Sequence, residues 1–183
     1  MTEIIKSNND SPLDNFSNCH EGIISHLNEF GQITDLIKAA TSARKIADDT
    51  VTFFRVAVFD HHAEEERDLF PAVLANAKPG EEQSVVQMMI DGLIAEHREI
   101  ESQWSRIEPK LVKLAKGHLI EIDDTAVQRL VIQYTAHARL EEREFLPLAE
   151  KILGRKDPEL ATLGLALHTR HVIRAARRGL RGS

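Results

Sequence analysis

Apolar residues recur along this chain at steps of three and four, the spacing of one face of an α-helix, with no alternation of the kind a strand requires. Phe16, His20, Ile23, Ile24, Leu27, Phe30, Ile33 and Ile37 predict a first helix from about Leu13 to Ala40. Val51, Phe54, Val58, His61, Glu65 and Leu69 give a second stripe, within roughly Ala43 to Ala77, which Lys78–Pro79–Gly80 ends. Val86, Ile90, Leu93, His97, Trp104, Ile107, Leu111 and Leu114 place a third helix from near Glu81 to about Lys116, with Gly117 as its C-terminal cap. Asp123 or Asp124 can cap a fourth, whose stripe is Val127, Leu130, Tyr134, His137, Glu141, Phe145 and Leu148 and which Gly154 closes. Asp157–Pro158 opens a shorter fifth. The prediction is an all-α single domain over 1–183. Its body is an up-down-up-down four-helix bundle over about 13–154, with an additional C-terminal helix over about 158–180.

The informative positions are polar residues on apolar stripes. Each long helix carries one such histidine, namely His20, His61, His97 and His137, and two stripes also carry a carboxylate, Glu65 and Glu141. An ionised Glu is rarely buried unless it is paired or binds a metal, and none of these stripes offers a Lys or Arg to pair with it. Metal binding accounts for all six together.

Two of these stripes are copies of one signature. His61–His62–Ala63–Glu64–Glu65–Glu66–Arg67–Asp68–Leu69–Phe70–Pro71 recurs as His137–Ala138–Arg139–Leu140–Glu141–Glu142–Arg143–Glu144–Phe145–Leu146–Pro147. In each copy a His precedes a Glu by four, one helical turn, so one imidazole and one carboxylate share a face. Two such helices facing each other could hold a pair of metal ions.

His61 and His62 are adjacent, and one of them is expected to point inward. Aligning the copies on their prolines makes Ala138 the counterpart of His62, so His61 is assigned as the ligand and His62 as a flanking or supporting residue, or a candidate additional ligand. Glu66 and Glu142 fall beside the inward face, where they can accept hydrogen bonds from Arg or His or stay solvated. Pro71 and Pro147 are expected to bend their helices about one turn beyond each Glu.

Composition narrows the function without naming it. A net charge of −6 gives no support to nucleic-acid binding, and the basic residues gather only near the end, from Arg170 to Arg181. No apolar run approaches the length of a transmembrane helix, and the polar start of the chain lacks the apolar core of a secretory signal. The single Cys19 permits no internal disulfide and no Cys-rich metal site, and reads as a small core residue. A cytoplasmic location is expected. His168 and His171 are read as solvent-facing or capping.

These residues resemble the hemerythrin-like family, the HHE cation-binding domains. The resemblance rests on His20 in Cys–His–Glu–Gly–Ile, His61 and Glu65 in the signature ending Leu–Phe–Pro, His97 in Glu–His–Arg–Glu–Ile, and His137 with Glu141. It implies two non-haem iron ions with an oxo or hydroxo bridge. Glu65 and Glu141 would bridge them, His20 and His61 would complete one iron, and His97 and His137 the other. Imidazole and carboxylate suit iron, manganese or zinc, and the absence of thiolates disfavours iron–sulfur chemistry.

Against oxygen-carrying hemerythrins the chain departs twice. Leu93 stands where they have a fifth histidine, and Glu141 stands for an Asp at longer spacing. The set is thereby more symmetric and open, as in bacterial members linked to the repair of iron centres after nitrosative or oxidative stress, and points away from reversible oxygen carriage. Those members carry a Cys-bearing N-terminal module that this chain lacks. The His-x-x-x-Glu order also differs from the Glu-x-x-His of ferritin-like di-iron proteins. Glu101 follows His97 by four and is a candidate further ligand or rim residue, and Tyr134 is a candidate hydrogen-bond donor to a bound ligand.

The expected function is binding of a small diatomic ligand, oxygen or nitric oxide, for sensing or stress response. The alternatives are a redox enzyme acting on peroxide or nitric oxide, with a redox partner protein, and iron storage or delivery to an acceptor protein. Partners among nucleic acids or membranes are not expected.

Overall fold

A computed structural model of the chain describes residues 12–155, with side chains from residue 21 onward. The His20 and Cys19 side chains, the polar N-terminus, the C-terminal helix with His168 and His171, and the terminal arginines lie outside the described residues. All described regular structure is helical, and no strand occurs among the described residues. No described helix is long and apolar enough to cross a membrane.

The chain divides into two compact units, Met1–Ala43 and Arg44–Ser183. The first contains α1 (Pro12–Gly31) and the start of α2 (Ile33–Phe53). Here the structure corrects the expected helix boundary. The break falls at Gln32, where Gln32 N–H reaches Glu29 O at 3.1 Å, and the helix then runs through residues 40–43 without interruption. The physical reason is local. Ala39–Ala40–Thr41–Ser42–Ala43 holds three alanines and no Gly or Pro, whereas Gly31 is a weak point in a helix.

In the second unit the helix that α2 begins continues to residue 76. A π-helical turn follows at Phe54–Val58, then α3 (Phe59–Glu64), a second π turn at Glu65–Leu69, and α4 (Phe70–Asn76). After the turn around Gly80, whose φ is 103°, α5 runs over Glu81–Ala115. It ends in a Schellman arrangement about Gly117, φ 87°, with Gly117 N–H on Leu114 O at 2.8 Å and His118 N–H on Lys113 O at 3.1 Å. Asp123 caps α6 (Asp124–Leu140) by accepting from Ala126 N–H at 3.2 Å. A third π turn, Glu141–Phe145, leads into α7 (Leu146–Leu153).

The two copies of the signature make the same backbone. In each, a π turn opens at the glutamate, and the residue before the proline reaches back five positions: Phe70 N–H bonds Glu65 O, and Leu146 N–H bonds Glu141 O. The prolines explain this. Pro71 and Pro147 have no N–H for the carbonyls of Arg67 and Arg143, and their rings crowd those carbonyls, so the preceding turn widens.

The extra residue in each π turn rotates the succeeding helical segment by roughly 100° relative to an unbroken α-helix. The buried stripe moves with it. Phe70, not Leu69, is buried, and Ala149 rather than Leu148.

Helix α5 packs on α6, and α4 packs on both α5 and α7. Two apolar clusters result. One joins Phe70, Val73, Val86, Leu93, Phe145 and Ile152, and the other joins Val51, Ile100, Trp104, Ile107 and Leu130. In the second cluster Phe54 stacks on Trp104 with ring centroids 3.9 Å apart.

Ile152 has no exposed surface. Ile152→Ala should lower unfolding free energy by about 2–5 kcal/mol in a denaturant titration of metal-free protein, with helix content retained. A loss under about 1 kcal/mol would show that this cluster is not a packed core.

Candidate metal centre

Along α5, Leu93 belongs to one apolar cluster and Ile100 to the other, and His97 stands between them. At this level the second unit buries a band of ionisable groups. Two sets of three converge, each offering donor atoms within 4.8 Å of one another: His62, His97 and His137, and His61, Glu65 and Glu141. His97 has no exposed surface, and His62, His137, Glu65 and Glu141 are each at most 3% exposed.

The carboxylates lie between the imidazoles. Glu65 places Oε1 3.6 Å from His61 Nε2 and Oε2 3.5 Å from His97 Nε2. Glu141 Oε1 lies 3.3 Å from His137 Nε2 and 3.9 Å from His97 Nε2. The rings crowd together as well. His62 stacks on His97 with centroids 3.9 Å apart and meets His137 edge-on at 5.7 Å.

Each imidazole of the first set is held from outside by a carboxylate on its Nδ1. His97 Nδ1 donates to Glu66 Oε1 at 2.8 Å, His137 Nδ1 to Glu96 Oε2 at 2.8 Å, and His62 Nδ1 to Glu101 Oε1 at 3.3 Å. Arg98 grips Glu66 and also reaches Glu101 at 3.2 Å, so one surface guanidinium steadies two of the three. The Nε2 atoms of His62, His97 and His137 are buried and have no hydrogen-bond partner. A histidine that binds metal through one nitrogen and gives its other N–H to a carboxylate has this arrangement.

Electrostatics act differently on the members of the band. Burial, with His97, His61, His137 and Arg98 around it, pushes the His62 pKa down to about 2, so this ring is neutral at physiological pH. Burial acts to raise the Glu141 carboxyl, but the His97, His137 and His61 imidazoles outweigh it and hold it below its usual range. Burial likewise opposes ionisation of Glu66, and the hydrogen bonds from His97 and Arg98 prevail. His97 shifts in the opposite direction to His62. Burial lowers its pKa, yet Glu141, Glu66 and Glu65 outweigh that and raise it. The neutral His62 ring and the Glu141 carboxylate are donors of the kind a transition-metal cation takes, and His97 would release a proton on binding one.

The expectation that one of the pair His61 and His62 points inward is corrected. Both contribute donor atoms to the two converging sets, and His62 is the deeper; the His61 side chain retains 15% exposure. After the π turn at Phe54–Val58 the buried face runs through Val58, His62 and Glu65, at helical steps of four and three. Glu66 accepts from His97, whereas Glu142 is exposed. Glu101 sits at the rim on the outer nitrogen of His62. Tyr134 flanks the band, its ring 6.1 Å from His137 and 6.3 Å from His62. Glu96 was missed by sequence reasoning. It precedes His97 directly in the chain but serves His137 of another helix, which local spacing does not reveal.

The hemerythrin HHE cation binding domain family matches residues 11–149 of this chain. The chain belongs to that family. The chain is also 23% identical over 137 residues to an uncharacterized protein of Haemophilus influenzae, covering 73% of this chain and 76% of that one. No solved structure matches.

Two measurements check this geometry. Substituting Glu66 or Glu96 with Ala should weaken cation binding by about 10–100-fold in chelator competition, because each loses the group that orients a ligand. Unchanged affinity would reduce these contacts to surface ion pairs. Tyr134 is the single tyrosine, and burial, with Glu141 and Glu65 nearby, raises its pKa from 10.0 to about 12. The folded state keeps a proton that the unfolded chain loses near pH 10, so stability should fall as pH rises beyond that value. A rapid alkaline jump followed by phenolate absorbance should give a midpoint near 12 in metal-free protein; a midpoint near 10 would show a solvated hydroxyl.

Proposed function

We propose that this chain is a non-haem di-iron protein that binds a small diatomic ligand, oxygen or nitric oxide, in sensing or stress response. The observation that carries the reading is the set of buried Nε2 atoms on His62, His97 and His137, which lack hydrogen-bond partners while a carboxylate holds each Nδ1. An unpaired buried polar atom is costly, and a bound cation removes that cost.

His61, Glu65, His97, His137 and Glu141 would hold the irons, with His20 as the further ligand that the family resemblance implies. The position of Glu65 between His61 and His97, and of Glu141 between His137 and His97, supports their assignment as the bridging carboxylates. When bound, two iron ions would supply a redox-active pair with coordination positions open to a small ligand.

The residues around them supply the rest. Phe70 lies over His97 with centroids 6.0 Å apart and meets Phe145 edge-on at 5.1 Å, which keeps water from that side. Leu93, one turn before His97, contributes apolar surface and no donor. Tyr134 keeps its phenolic proton at neutral pH and offers it beside the imidazoles. This proton donor favours a second reading, a redox enzyme acting on peroxide or nitric oxide.

Metal content and the visible spectrum of anaerobically reduced protein, before and after oxygen or nitric oxide, test the proposal. About two irons per chain and a ligand-dependent spectrum are expected. A single zinc, or no spectral response after loading with ferrous iron, would overturn it. Catalytic turnover of peroxide or nitric oxide would select the second reading.

A further inference from the structure

We propose that His62 is itself a metal donor through Nε2, forming with His97 and His137 a three-imidazole half of the centre. The inference rests on the metal reading above and changes its ligand set. The second copy of the signature has Ala138 at this place, so the sequence repeat gives His62 no counterpart.

Three observations carry it. First, His62 is only 1% exposed and its Nε2 has no hydrogen-bond partner. Second, its Nδ1 lies on Glu101, and a carboxylate accepts, so the ring hydrogen is on Nδ1 and the Nε2 lone pair is left free. Third, both neighbours are held from outside in the same way. His97 and His137 each give Nδ1 to a carboxylate and bring an unpaired Nε2 into the same small space. No hydrogen-bond donor reaches the His62 lone pair. A histidine that merely filled the core would have a donor facing that nitrogen.

The proposal makes the two halves of the centre chemically unequal. One would be rich in imidazole, and the other, with His61, Glu65 and Glu141, rich in carboxylate. Two metal ions in such a centre would differ in affinity.

Cobalt(II) is the probe. In the paramagnetic proton spectrum each coordinated imidazole with hydrogen on Nδ1 gives one strongly shifted, solvent-exchangeable N–H signal. His62→Gln should remove one such signal, leave the others, and weaken one of two cobalt equivalents by about tenfold or more. Retention of every signal with unchanged affinity would overturn the inference while leaving the metal reading in place. Absence of any shifted imidazole signal in the unaltered protein would overturn both. Glu101→Ala provides a second arm that leaves His62 intact. It should speed solvent exchange of one shifted N–H at full cobalt content, and identical exchange at every signal would refute the role assigned to His62.

Discussion

Everything in the second unit turns on one requirement: ionisable side chains have been taken out of water and must find compensation inside. Three imidazoles and two carboxylates lie nearly inaccessible between two apolar clusters. Desolvation alone would neutralise or expel such groups. They stay because the band is internally complementary, with carboxylate oxygens set among ring nitrogens, and because its outer side is tied down. Glu66, Glu96 and Glu101 each take an imidazole N–H, and Arg98 spans two of these carboxylates. A charge at the surface thus fixes ring orientation in the core, and rigidly placed inner nitrogens are what a cation site needs.

The backbone contributes a second device. The prolines that end both copies of the signature leave the preceding turn one residue too wide, and that wide turn begins at the buried glutamate each time. The glutamate stays in register with the histidine four residues earlier, while the aromatic and aliphatic residues after it are rotated onto a different line. Phe70 then lies against His97, with Phe145 edge-on behind it. A single local cause, a missing N–H, connects sequence punctuation to the wall of the site.

Membership in the hemerythrin HHE family and the geometry of this band agree on cation binding, yet this chain has its own variation on the theme. Leu93 offers no donor on the line of α5, while His62 of α3 brings a buried imidazole beside His97 and His137. The repeat, symmetric in its glutamates, is asymmetric in its histidines.

Much of this was legible in the residues. Apolar periodicity gave the helical class, Gly117 and Asp123 marked ends that the backbone uses, and Glu65 and Glu141 announced themselves as carboxylates on apolar stripes with no basic partner. Those features are local, and local chemistry decides them. The break at Gln32, the outer role of Glu96 and the inward turn of His62 were not legible. Adjacent residues differ by only about 100° around a helix, so which of His61 and His62 lies deeper depends on the rotation of the whole segment. That rotation is set by the π turn at Phe54–Val58 and by packing against α5. Residue order alone specified which donor types would be buried together. Which nitrogen faces which neighbour was settled by helix packing, because it depends on how separate helices are phased against one another.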